Sequence, residues 1–123
     1  MKDYYLQNEL YEFISDFGDD YCGLEVLLFF SRHPVARFNR SAVLHASNAK
    51  QFDTGMALKH LIENNLVVTR IEHGITLYAL TGEEPAHGLA VKLAQMDKSQ
   101  RQNLIEQVIN AQNDLTLKSH DPG

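Results

Sequence analysis

Six histidines and one cysteine are the residues of this 123-residue chain best suited to chemistry, and their spacing leaves them little of it. His33, His45, His60, His73 and His87 stand 12 to 15 residues apart. With no HxxxH, HExxH or paired cysteine, no local turn brings two metal ligands together. Cys22 has no CxxC or Cys-His partner, and nothing basic flanks it to favour the reactive thiolate. It reads as a small buried apolar residue. Asp19-Asp20 lacks the EF-hand pattern, and the chain has neither a phosphate-binding glycine loop nor a nucleophile elbow. No enzyme, metal site or cofactor is expected.

The remaining chemistry is that of cations facing phosphate. The net charge of −5 opposes nucleic-acid binding at first, because lysine and arginine supply most of that affinity. The distribution of that charge points the other way. Residues 1–30 carry −6, residues 31–76 carry +3 with four of the six histidines, and the remainder carries −2. Arg32, Arg37, Arg40, Lys50, Lys59 and Arg70 form this one basic zone. Its excess is modest, so two copies acting together are expected to supply avidity.

Length and 44% apolar content suit one domain with one core. No run approaches the roughly 18 apolar residues needed to span a bilayer, and the acidic start is unlike a signal peptide. A soluble, cytoplasmic protein is expected. The elements that position the basic zone are legible from residue 23 onward. Gly23 to Arg32 reads as a core helix ended by Pro34, and Val35 to Phe38 as a short extended link. Asn39 suits the N-cap of a brief helix with Ala42, Val43 and Ala46 inward, broken at Ser47-Asn48. A further helix opens at Gln51 or Asp53. Ala57, Leu58, Leu61 and Ile62 form its inner face, and Lys59, His60 and Glu63 its outer face. Asn64 and Asn65 tolerate the left-handed backbone that ends a helix. Leu66 to Glu72 and Ile75 to Leu80 then form a hairpin around His73-Gly74, with Val67, Ile71, Leu77 and Leu80 leaning on the helices.

The run ALKHLIENNLV at 57–67 resembles the end of the recognition helix in winged helix-turn-helix regulators. LYALT at 77–81, followed by a polar GEE, looks like the end of the wing in MarR-type and related ArsR-type repressors. The chain differs in carrying Asn65 where the family usually has glycine, and in its short wing. The resemblance covers residues 24–117 in order of elements and is specific over 57–81. It implies a mainly α fold with a small β-hairpin wing and extra N- and C-terminal dimerisation helices.

Carried across residue by residue, the resemblance makes Asp53 to Asn64 the recognition helix, with Thr54, Leu58 and Leu61 inward. Gln51, Gly55, Met56, Lys59 and His60 then face the groove. Gln51 suits an adenine edge, Met56 a thymine methyl, and Lys59 a phosphate. Arg40, Ser41 and Lys50 are candidates for backbone phosphates. Arg70 and His73 are the wing residues able to reach flanking DNA.

The ends carry a second expectation. Leu6, Leu10, Phe13, Ile14 and Phe17 line one face of an N-terminal helix within residues 1–20, widened by Tyr4, Tyr5 and Tyr11. Residues 23–81 form the core, and residues 83–117 further helices with Ala90, Leu93, Met96, Leu104, Ile105, Val108, Ile109 and Leu115 apolar. This excess suggests a homodimer built from Leu6, Leu10, Phe13, Ile14, Phe17, Leu104, Ile105, Val108, Ile109 and Leu115. The alternative is that the two ends pack on each other within one chain. Residues 118–123 read as a disordered tail.

The resulting expectation is a sequence-specific double-stranded DNA-binding transcriptional regulator, a repressor acting as a homodimer. An unnamed small-molecule effector is compatible with it. The competing expectation is a winged-helix protein-interaction module that does not bind DNA.

Overall fold

The computed structural model describes the backbone over residues 2–18, 21–46 and 51–120, and side chains over residues 8–18, 22–46 and 53–111. The order of elements is α1 (Lys2–Phe17), α2 (Tyr21–Arg32), β1 (Phe38–Asn39), α3 (Arg40–Ala46), α4 (Gln51–Glu63), β2 (Val67–Glu72), β3 (Ile75–Leu80), α5 (Ala86–Gln95) and α6 (Lys98–His120). The chain is mainly helical with one small antiparallel sheet in the order β1-β3-β2. None of its described helices is long and apolar enough to cross a membrane.

Apolar spacing decides which faces close. α2 is the hub, burying Leu24, Val26, Leu27 and Phe30 and packing on α1, α3, α4, α5 and β3. Each such side chain taken from water contributes about 1.5–3 kcal/mol before the cost of ordering it. Ser31, buried among them, donates its hydroxyl to the Leu27 carbonyl at 2.7 Å. Its polar group is thereby satisfied within the helix.

The expected hairpin exists, and it has a third strand where the sequence suggests only a link. His73 and Gly74 both have positive φ, 53° and 79°, as a two-residue turn between right-twisted strands requires. β1 adds to β3 through Phe38 opposite Tyr78 and Asn39 opposite Leu77. Phe38 is anchored on α2, its ring 4.6 Å from that of Phe29 and 5.5 Å from that of His33. Val67, Tyr78 and Leu80 are buried, whereas Ile71 is 73% exposed, against expectation. Its partner is Thr76, one pair from the turn, so it lies on the part of the ribbon that projects beyond the helices.

α3 also departs from expectation. Val43 is buried, but Ala42 and Ala46 are exposed, because two turns of helix present only a narrow inner stripe. Cys22 is half-buried, with Sγ 4.0 Å from the Thr54 hydroxyl.

The ends of the chain pack on each other. Leu10, Phe13 and Ile14 of α1 and Leu104, Ile105 and Val108 of α6 belong to the single core, and α1 also packs on α5. These six are largely covered within one chain. Phe17 and Ile109 are partly covered against the same core, and the side chains of Leu6 and Leu115 lie outside the described residues. α6 runs to His120, so residues 118–120 are helical rather than part of a disordered tail; residues 121–123 are outside the described residues.

Candidate nucleic-acid interface

The basic zone is held by three local devices. The first is the cap of α3, where the Asn39 side-chain oxygen accepts the Ala42 N–H at 2.8 Å. The cap satisfies one free donor of the first turn and fixes where Arg40 and Ser41 leave the backbone. Both are exposed. His45 folds back on that helix, its Nδ1 2.7 Å from the Ser41 carbonyl.

The second device is the end of α4. Asn65 takes the left-handed conformation at φ 64°. Its N–H donates to the Ile62 carbonyl at 3.0 Å, and that of Leu66 to the Leu61 carbonyl at 2.9 Å. This pair of bonds is the Schellman motif, closed by apolar contact where Leu61 and Leu66 are both fully buried. The helix therefore passes into β2 without a loop. A third link, from the Thr81 N–H to the Leu66 carbonyl at 2.8 Å, ties the end of β3 to the same corner.

The third device is the burial of Thr54, Leu58 and Leu61, all fully inside. It turns the opposite face of α4 outward. Met56 is 53% exposed, and Asp53, Lys59 and Glu63 are exposed beside it. Gly55 is half-buried under the Arg40 guanidinium, which approaches to 3.0 Å from where a Cβ would stand. Arg40 thus lies against Gly55, and Met56 and Lys59 are exposed on the same helix as that glycine.

His60 is not free to join them. Its Nε2 lies 3.3 Å from the Asp16 carbonyl of α1, and Asn64 Nδ2 donates to its Nδ1 at 3.3 Å. The ring bridges α4 to α1 as an Nε2–H tautomer, because a carbonyl can only accept. Lys50 lies outside the described residues, as does the side chain of Gln51.

On the hairpin, Arg70 and His73 are exposed as expected, yet the charge there is divided. Glu72 receives the Arg37 guanidinium in a close ion pair and stands 3.7 Å from that of Arg70. Lys59 is likewise 3.8 Å from Glu63, one turn on. Exposed pairs of this kind contribute little to stability, but each acid competes with any phosphate for its cation. A concavity of about 430 Å³ opens between β1, the first turn of α3 and the hairpin tip, lined by Arg37, Asn39, Ala42, Glu72, His73 and Leu77. The sequence alone does not single out Arg37 as a site residue, nor this hollow. The one available signal is an arginine following Pro34 in an extended link.

The described residues contain no group of three or more histidine, cysteine, aspartate or glutamate side chains placed to hold a metal. Comparisons of the chain with protein-family models, with curated proteins and with solved structures gave no match.

Proposed function

We propose that the chain is a winged helix-turn-helix regulator that binds double-stranded DNA, with α4 as the recognition helix and β2-β3 as the wing. The observation that carries this reading is the continuity of α4 with the hairpin. One face of the helix is fully buried, the other carries Met56 and Lys59 with Arg40 of α3 reaching across to Gly55, and the Asn65 cap delivers the chain directly into β2. In this reading Met56 meets base edges, while Arg40, Ser41 and Lys59 meet phosphates. Arg70 and His73 reach flanking DNA. The protein acts in the cytoplasm as a homodimer on half-sites about 34 Å apart and represses by occupying its site. Its dimer interface lies outside the buried α1–α6 stripe.

Mobility-shift titration of a mixed-sequence duplex pool at two salt concentrations tests the reading, with gel filtration giving the mass of the free protein. Binding that weakens with salt and is lost in the K59E/R70E double variant is expected. Absence of duplex binding at low salt overturns it.

One observation favours a second reading. Glu72 holds Arg37 and neighbours Arg70, leaving the wing little free positive charge. A winged-helix module dedicated to a protein partner would tolerate this, and it predicts no salt-dependent duplex binding in either protein.

A further inference from the structure

A groove of about 370 Å³ lies between α1 and the start of α5, remote in sequence from the basic zone. Its floor is apolar. Phe13 and Phe17, one turn apart on α1, tilt their rings 5.2 Å from each other, and Ala86 and Leu89 of α5 face them. Its rim is acidic, formed by Glu9, Glu12 and Asp16 of α1, all exposed or nearly so. Among the described residues no basic side chain lines the groove, and none of the three carboxylates forms an ion pair with a described cation.

The two chemistries are arranged along one helix. Glu9, Phe13 and Phe17 follow one stripe at four-residue intervals, and Glu12 and Asp16 follow the next. The three acids therefore span about two turns, roughly 10 Å along α1. An apolar trough edged on this scale by charge of one sign matches an amphipathic helix whose leucine-like anchors recur at i, i+4 and i+7 with lysine or arginine beside them. Phosphate-bearing partners, whether nucleic acid or an anionic lipid surface, are repelled by the same rim. In a second copy of this chain, the exposed Arg37, Lys59 and Arg70 already stand beside their own acids.

We infer that the α1–α5 groove is a docking site for a basic amphipathic helix of a partner protein. The site is independent of the duplex-binding reading and survives its failure. The three carboxylates steer and orient the partner, and the phenyl rings with Leu89 receive its apolar anchors.

The test is a titration of the full chain, followed by amide NMR shifts, with a synthetic peptide of about four helical turns. The peptide carries leucines at i, i+4 and i+7 flanked by lysines; a counterpart carries glutamate at every lysine. Saturable shifts confined to the segments around Phe13, Phe17, Ala86 and Leu89 are expected with the lysine peptide alone. The E9K/E12K/D16K variant should lose about tenfold or more in affinity, and the neutral E9Q/E12Q/D16N variant less, with unfolding curves confirming that both remain folded. Three outcomes overturn the inference: no saturable shifts, equal response to the glutamate peptide, or shifts mapping elsewhere. A fourth does so as well: the same amides moving with protein concentration alone, which would assign the groove to a second copy.

Discussion

The guanidinium of Arg40 lies against Gly55, 3.0 Å from the position a Cβ would occupy there. The contact joins the first turn of α3 to the exposed face of α4. It makes a glycine inside a helix serve as a seat for a cation rather than as a break. Replacement by alanine separates the two roles. G55A should raise stability by about 0.5–1 kcal/mol, since alanine loses less backbone entropy and Arg40 is a flexible, exposed neighbour that yields. The same methyl group unseats the guanidinium. Thermal unfolding beside duplex titration should therefore show a more stable protein that binds DNA about two- to fivefold more weakly. Unchanged binding would remove Arg40 from the interface.

Glu72 can be silenced without touching either arginine that it neighbours. E72Q leaves Arg37 and Arg70 free to meet phosphates, so duplex affinity should rise by about fivefold at low salt, with a steeper salt dependence. Stability should change by less than about 1 kcal/mol, because these side chains are substantially exposed. Fluorescence anisotropy at two salt concentrations reads both effects.

Leu10 and Ile14 decide how the ends of the chain are held. Each lies fully inside one chain, so L10A or I14A should cost about 2–5 kcal/mol through lost burial and the cavity left behind. The loss should be the same at all protein concentrations. Were these residues a dimer seam, midpoints of unfolding would shift with concentration, and chemical denaturation over a wide dilution series distinguishes the cases.

Asn65 tests the corner between α4 and the hairpin. At φ 64° an alanine is strained, so N65A should cost about 1–2 kcal/mol. N65G adopts the conformation freely and should be close to neutral or stabilising. Urea midpoints for the pair give the comparison, and equal losses would show that the side chain rather than the backbone matters.

Features set by local chemistry are readable in one dimension. The Asn39 cap, the left-handed Asn65, the His73-Gly74 turn and the inward Thr54, Leu58 and Leu61 each depend on a few neighbours in sequence. Choices made by distant partners are not. A two-residue strand at Phe38-Asn39 has no periodicity to detect, and it exists because Tyr78 and Leu77 lie opposite. The stripe through Leu10, Phe13 and Ile14 announces that something must cover it, but not whether that is a second copy or the chain's own α6. Ile71 has the residue type of a core strand, and only its position beside the turn exposes it. In the candidate interface, the spacing that exposes Lys59 and Met56 is legible; the pairing of Arg37 with Glu72, 35 residues apart, is not.

The sheet order β1-β3-β2 leaves β2 with no described strand on its outer side. Its backbone is therefore a template for any extended chain that meets it, and the exposed Val68 and Ile71 make that encounter adhesive. Arg70 and Glu72 interrupt the run with charges of opposite sign. Besides whatever they do at a nucleic acid, these two residues guard the protein against stacking into ribbons when it is crowded.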